Sequence, residues 1–419
     1  MYSMRRAAIG LYLFARFALA QALVPPAELA RVQHLFEPHS GDEPLRCEVT
    51  PRPPSLNFAF RFQAGYTFHI PQSQYGNAAD GWRVLTVITP QNGEPTYLYA
   101  RTPLSDASRS SLNFDIQGRY FLGVGRYSVQ STILDDRSRG CRKQWQVAVA
   151  PSRADRTPDS AMPPNTVRAF EPISLPDLSH PDAGAPMRIT ILLNAAAFSP
   201  RRTIIRDVDR DRIADALTAL LEHLPAVWVR LVVFSLEQQK EVMRAEPFQP
   251  SDVSKLDEAI AALPQATVDV NLLKNPSGYE DLLAGLINHE LTAENPADTV
   301  IFLGPGSRYS ETTRRDTLPT PGHSRARFFY IRYEGLPRPV NVEHSALDSR
   351  RALAPIGRRP DHSADSGLAA EPSEPIRPFE PTHGRPDIIT KAVARLNGKS
   401  ILIYSPAGLA AAIRKIEAR

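Results

Sequence analysis

The sequence predicts an all-β sandwich followed by an α/β domain with a doubly wound, mostly parallel sheet. Three observations carry this prediction. Short alternating apolar runs, separated by turn residues, fill residues 45–150, as half-buried antiparallel strands require. From residue 187 onward, buried strand-like runs alternate with helical stripes. Between the two, residues 151–186 are rich in Pro, Asp and Ser and predict a linker.

The composition, with 42% hydrophobic and 22% charged residues, is typical of a globular protein. A chain of 419 residues is long enough for two or three domains, each with its own core. The formal net charge of +4 is small and spread along the chain. We therefore expect no nucleic acid among its partners.

Residues 1–20 have the order of an export signal, because two arginines precede an apolar run that ends in small residues. We expect cleavage after Ala20, a periplasmic or extracellular location, and no transmembrane span in the remaining chain. Arg16 interrupts the apolar run, which leaves open a short N-terminal helix that is not removed. Residues 21–44 form an N-terminal segment with one predicted helix.

Cys47 and Cys141 are the two cysteines of the chain, and export predicts a disulfide between them. Two buried free thiols are the alternative if the protein is not exported. About seven strands, with turns roughly every 8 to 12 residues, indicate a sandwich of the immunoglobulin-like class. The clearest alternating runs are residues 56–62 and 126–134.

The α/β domain is predicted over residues 187–334 and 386–419. Its predicted strands are residues 187–194, 227–234, 241–248, 298–303, 326–333 and 400–404. Its predicted helices are residues 207–224, 387–396, and stretches that begin near 251, 277 and 406. Ser277 with Glu280 three residues later predicts a capping box. Residues 335–385 have no hydrophobic period and predict a disordered insertion.

Three stretches together resemble the von Willebrand factor A (vWA) domain, and more narrowly the vWA-related proteins that some bacteria export. They are the strand M-R-I-T-I-L-L-N, the helix start N-P-S-G-Y-E-D-L-L-A-G-L, and the ending G-K-S-I-L-I-Y-S-P-A-G-L-A-A-A-I-R-K-I. In the preceding region, the block G-V-G-R-Y-S-V ahead of C-R-K-Q-W resembles, less closely, a segment that is paired with such domains. The resemblance implies a vWA, Rossmann-like fold with its ligand site at the strand ends.

In this family a D-x-S-x-S loop, a Thr and a later Asp hold Mg²⁺, because a hard dication needs oxygen ligands. The resemblance places Asn194 at the Asp, Ala196 and Phe198 at the two Ser, and Pro305 at the later Asp. Ser277 stands near the Thr position. We therefore expect no bound metal and no cofactor.

The same positions imply a binding lip at the strand ends. Its candidate residues are Asn194, Phe198, Ser199, Ser277, Gly304, Pro305, Gly306 and Ser307. Such a lip is either a protein-binding surface or a structural relic of the metal site.

These features predict an exported, non-catalytic adhesion or scaffold module that binds a protein ligand of unknown identity. Two alternatives stay open. One is a metal-dependent vWA adhesin whose ligands are rebuilt from Glu280 or Asp281; the other is an α/β enzyme that uses the strand-end crevice. Weaker motifs are the D-x-D-x-D spacing of residues 207–211 and Ser324 in G-H-S-R-A, which precedes a strand instead of following one.

Overall fold

The computed structural model describes a set of ranges that together hold sixteen strands and six helices. These ranges are residues 21–37, 44–75, 81–103, 108–110, 112–152, 160–171, 173, 186–198, 204–263, 275–309, 318–320, 325–334 and 386–418. The predicted signal, the predicted insertion 335–385 and Ser199 lie outside the described residues.

The first part of the structure, here called the β region, contains two antiparallel sheets. Its elements are β1 (Ala22–Leu23), α1 (Pro26–Leu35), β2 (Glu48–Leu56), β3 (Phe62–Pro71), β4 (Gly81–Pro90), β5 (Thr96–Pro103), β6 (Ser108–Ser110), β7 (Asn113–Leu122), β8 (Gly125–Asp135), β9 (Gly140–Val149) and β10 (Val167–Ala169). One sheet has the order β1-β5-β4-β8-β9. The other has the order β10-β7-β3-β2, and β6 pairs with β7.

The two sheets enclose one hydrophobic core, to which alternate residues of their strands contribute. Tyr66, Trp82 and Tyr127 are among the largest side chains buried in it. The predicted disulfide is confirmed: Cys47, just before β2, bonds to Cys141 in β9, with their Cα atoms 6.3 Å apart. The bridge therefore joins the edge strand of one sheet to the edge strand of the other.

The prediction of a strand over residues 56–62 is wrong. Strand β2 ends at Leu56 and β3 begins at Phe62, and Phe60 has a φ of 56°, which no strand accommodates. The alternating aromatic residues have another cause. Phe60, and Phe58 at its margin, pack into the core of the second region, whereas Phe62 packs between the two sheets.

Part of the predicted linker, residues 151–186, folds as part of the β region. Within it, Val167–Ala169 form β10, which pairs antiparallel with β7. Met162 and Phe170 on either side pack against Phe121 of β7. This stretch thus adds an edge strand to a sheet and lies against its surface.

The second part, here called the α/β region, has the predicted mostly parallel sheet. Its elements are β11 (Met187–Asn194), α2 (Asp207–His223), β12 (Ala226–Ser235), β13 (Lys240–Ala245), α3 (Val253–Ala261), α4 (Gly278–Thr292), β14 (Thr299–Pro305), β15 (Arg327–Tyr333), α5 (Ile388–Arg395), β16 (Lys399–Ile403) and α6 (Pro406–Glu417). The strand order is β13-β12-β11-β14-β15-β16, and β13 alone is antiparallel to its neighbour. The order reverses between β11 and β14, which is where ligands of doubly wound sheets bind.

Helices cover both faces of this sheet. Helices α2, α3 and α6 share one core with Ile189, Ile191 and Leu193 of β11, and α4 and α5 share another with Leu192. The strand is therefore buried on both faces, as its continuous apolar sequence predicts. Among the helices of the described residues, none combines the length and the apolar content that crossing a membrane requires.

The helix starts differ in how they are capped. Asp387 and Ser405 accept hydrogen bonds from backbone N–H groups of α5 and α6, whose starts near these residues were predicted from the sequence. The predicted capping box at α4 is wrong. Ser277 precedes the helix, but its hydroxyl donates to Asn275 Oδ1 at 3.4 Å, and Glu280 is fully buried.

Candidate binding site at the strand ends

The switch point of the sheet is closed by the ends of β11 and β14. Asn194 is 2% exposed, and its Oδ1 has no hydrogen-bond partner among the described residues. A Cβ on Gly304 would lie 2.8 Å from Asn194 Cβ and 2.9 Å from its carbonyl oxygen. Glycine at position 304 therefore permits the two strand ends to approach one another.

Beside this point, aromatic side chains fill the position that the resemblance gives to a metal-binding serine. Phe198 stacks on Tyr333 at the end of β15, with ring centroids 4.5 Å apart and an interplanar angle of 16°. The guanidinium of Arg212 lies 4.6 Å from the Phe198 ring centroid. Tyr333 also contacts Phe58, at 6.5 Å between ring centroids.

The loop after β14 is held by Asp387, which the sequence analysis did not assign to the site. Asp387 Oδ2 accepts a hydrogen bond from the Ser307 N–H at 2.8 Å, and the Tyr330 hydroxyl lies 3.1 Å away. Its Oδ1 caps α5 by accepting from the Thr390 N–H at 2.8 Å. Its helix-capping position was visible in the sequence, but its contact with Ser307 depends on the fold.

We expect Asp387→Ala to lower the free energy of unfolding by about 1–2 kcal/mol, because a helix cap is lost. Amide exchange at Ser307 should accelerate, since its N–H loses its acceptor. Asp387→Asn, which keeps one side-chain oxygen, is the matched control and should lose less. Hydrogen exchange measured by mass spectrometry reads both effects, and unchanged exchange at Ser307 in the alanine variant would contradict this role.

Ser277, another candidate lip residue, precedes the start of α4, which has its own contacts. A Cβ on its neighbour Gly278 would lie 2.0 Å from Gln239 Oε1, and Gln239 Nε2 donates to the Asn275 carbonyl at 3.0 Å. Helix α4 thus begins against the turn between β12 and β13. The following residue, Tyr279, stacks on Tyr309 at 4.1 Å between centroids.

The candidate lip residues differ in exposure. Asn194, Phe198, Gly304 and Pro305 are buried, whereas Ser277, Gly306 and Ser307 are half-buried. Next to Ser307 lies the exposed Arg308, which pairs with Glu237. In this arrangement the lip offers little apolar surface to a partner.

The donor atoms do not fit Mg²⁺. Asn194 offers an amide oxygen, and Ala196 and Phe198 offer none, whereas this ion requires several anionic or hydroxyl oxygens in octahedral array. Within the described ranges, no group of three or more His, Cys, Asp or Glu side chains is arranged to hold a metal ion. We therefore derive no chemistry through a metal here.

A separate polar chain lies on the sheet that contains β2, β3 and β7. Thr50 Oγ1 is 3.1 Å from His69 Nε2, and His69 Nδ1 is 2.7 Å from Asp115 Oδ1. Hydroxyl, imidazole and carboxylate in this order can activate a nucleophile. Cross-strand neighbours in antiparallel sheets also form such contacts without catalysis.

The fold and the strand-end site define a mixed α/β protein with two antiparallel sheets and one mostly parallel sheet. No protein-family model matches the chain, and no curated protein matches it. One solved structure similar to part of the chain is described as "X-ray structure of Northeast Structural Genomics Consortium target SoR45". Its sequence identity is 15% over 26% of this chain and 89% of its own, with a TM-score of 0.17. At that TM-score the likeness carries no argument about fold or function.

Proposed function

We propose that the protein is an exported, non-catalytic protein-binding module, an adhesion or scaffold protein. Its α/β region is a metal-free vWA-like domain that recognises a protein partner by contact at the strand ends. The observation that carries the proposal is the stack of Phe198 on Tyr333, which puts aromatic rings where the resemblance implies a metal ion. Aromatic side chains contribute large contact areas to protein interfaces.

Two features support the fold classes in this proposal. The strand order, with one antiparallel edge strand and a reversal between β11 and β14, agrees with a vWA-like sheet and its strand-end ligand site. For the β region we propose an immunoglobulin-like sandwich, supported by two antiparallel sheets around one core. The disulfide supports export, because such bonds persist in oxidising compartments.

A photo-crosslinking amino acid at two exposed positions tests the partner site. Arg308 lies beside the strand ends, whereas Val227, 45% exposed, lies at the opposite end of the sheet near the start of β12. The proposal expects one discrete protein adduct from position 308 in cells that export the protein, and none from position 227. Adducts of equal yield from both positions, or no adduct from position 308 when Phe198 and Tyr333 are exposed, would reject the strand-end site.

The polar chain at Thr50 favours a second candidate function, hydrolysis of small activated esters in the β region. Thr50 Oγ1 would attack the ester carbonyl while His69 takes its proton and Asp115 orients the imidazole. The alcohol of the ester would leave, and water would then hydrolyse the acyl group on Thr50 and restore the hydroxyl. Hydrolysis of 4-nitrophenyl acetate by the native protein and by Thr50→Val decides between the two candidates. Equal rates for both proteins would remove the hydrolase.

A further inference from the structure

The β region reaches the strand-end site through the loop between β2 and β3. Phe60 is 2% exposed and lies within the core of the α/β region. Phe58 contacts Tyr333, the residue on which Phe198 stacks. The aromatic row Phe58–Tyr333–Phe198 therefore starts in one region and ends in the candidate lip of the other.

Three side-chain pairs hold this loop and β7 against one face of α2. Asn57 Nδ2 donates to Asp215 Oδ1 at 2.9 Å, and Arg119 Nη1 donates to Asp211 Oδ2 at 2.5 Å. The third pair joins Arg61 to Glu222. The acidic residues follow one another at helical spacings of four and seven, so they lie on one face of the helix.

The donor side chains Asn57 and Arg119 are held in position for their contacts with α2 by other residues of the β region. Asn57 Oδ1 accepts hydrogen bonds from the backbone N–H groups of Ala59 and Arg61, at 3.1 and 2.9 Å. The amide nitrogen of Asn57 must therefore point toward Asp215. The guanidinium of Arg119 lies 4.0 Å from the Phe170 ring centroid, which fixes its direction as well.

We propose that the β region is an autoinhibitory cover, whose docking on α2 keeps the strand-end site closed to its partner until the two regions separate. The proposal rests on the proposed function, because it concerns regulation of the same binding site. It accounts for the contact of Phe58 with Tyr333, which is 1% exposed although it stacks on Phe198 in a surface that a partner would need. Separation would remove Phe58 and Phe60 from the α/β region and uncover the aromatic row.

The docked state should strengthen as the pH falls. Burial raises the pKa of Asp215 well above its usual range, and the nearby carboxylate of Asp211 adds to the rise. The guanidinium groups of Arg61, Arg119 and Arg212 act in the opposite direction without cancelling it. A carboxyl with a higher pKa when docked binds a proton that it releases on separation. Above its docked pKa, the negative charge of the Asp215 carboxyl therefore weakens docking. As the pH falls through that pKa the carboxyl becomes protonated, and this weakening disappears.

The other titratable groups of the interface do not all share this sign. Burial also raises the pKa of Asp211 and Glu222, although each faces an arginine of the β region. Burial lowers the pKa of His223, so the docked state loses stability when the pH falls below 6.5, the ordinary pKa of histidine. Further charges that face these groups are Asp207, Arg210 and Arg168. Above pH 6.5 His223 is neutral in both states, so the pH dependence that remains there comes from the carboxyl groups.

Hydroxyl-radical footprinting measures the exposure of Phe198 and Tyr333 directly in the full-length protein. In the variant Arg61→Glu/Arg119→Glu, like charges face Glu222 and Asp211, and we expect modification of both aromatic residues to rise severalfold. Tyr330, buried in the other core of the same sheet, should stay protected. The control Arg61→Lys/Arg119→Lys keeps the charges and should match the native protein.

Native levels of modification at Phe198 and Tyr333 in the charge-reversed variant would overturn the cover. If Tyr330 is modified in step, the variant has unfolded, and Asp215→Asn then decides. Asp215→Asn keeps the shape of the side chain and removes the carboxyl that titrates, so modification of Phe198 and Tyr333 should rise less with pH above pH 6.5 than it does in the native protein. In Asp207→Asn, at a side chain 78% exposed on the same helix, modification should rise as it does in the native protein. An equal rise in Asp215→Asn and in the native protein overturns the proposal.

Crosslinking in the native protein and in the charge-reversed variant distinguishes a failure of this proposal from a failure of the proposed function. Crosslinking from position 308 should yield more partner adduct in the charge-reversed variant than in the native protein. If footprinting shows uncovering but neither protein yields an adduct, the partner site is wrong and the cover stands. If adducts form equally in both proteins, the site stands and the autoinhibitory role is overturned.

Discussion

Replacing Arg230 with Met is expected to lower the free energy of unfolding of the α/β region by about 3–5 kcal/mol. Arg230 Nη1 donates to Glu290 Oε2 at 2.7 Å, and the two side chains are only 2% and 1% exposed. Thr190 Oγ1 donates to the same carboxylate oxygen at 2.7 Å. Without the guanidinium, Glu290 would keep a buried charge with only the His289 ring, whose Nδ1 lies 3.4 Å from Oε1, beside it.

Amide hydrogen exchange along β12 measures this loss. The matched variant Arg230→Met/Glu290→Leu/Thr190→Val removes all three polar groups and should recover most of the stability, because a well-packed apolar replacement is often neutral. A loss below about 1 kcal/mol in Arg230→Met would contradict the assignment of a buried ion pair. So would a triple variant that is as unstable as the single one.

Removing the disulfide is expected to destabilise the β region by about 4 kcal/mol. The two cysteines are separated by 94 residues, and a crosslink that closes so long a loop strongly restricts the unfolded chain. The test compares Cys47→Ala/Cys141→Ala with the native protein, by hydrogen exchange along β3. Reduction of the native protein should reproduce most of the loss. If reductant leaves exchange unchanged while the double variant is destabilised, the loss comes from packing and not from the crosslink.

Much of the fold was predictable because the sequence carries strong local signals. The apolar run of β11, the helix predicted over residues 387–396 and the helix predicted to begin near 406 are confirmed. The loop at residues 57–61 was not predictable, since its alternating aromatic residues have the period of a strand. A loop is distinguished from a strand here because Phe60 packs in one core and Phe62 in the other. That arrangement exists only after the two regions dock.

The site was predictable only where neighbouring strand ends meet. Asn194 and Gly304 lie together because carboxyl ends of adjacent parallel strands share one edge of the sheet. The partner of Phe198 was missed, because Tyr333 comes from a strand far along the chain and carries no local motif. The hydrogen bond between Asn57 and Asp215 was missed for a similar reason, since the two residues belong to different regions and are far apart along the chain.

Calorimetric titration of the full-length protein with Mg²⁺, Mn²⁺ and Ca²⁺ tests most directly whether recognition at the strand ends is metal-free. Because the resemblance to vWA domains places Asn194 and Phe198 where anionic and hydroxyl oxygens are needed, we predict heats of dilution alone for all three ions. Glu280, fully buried near the start of α4, is the residue that would have to rebuild the site. A saturable heat of one ion per chain that Glu280→Ala abolishes would contradict the account.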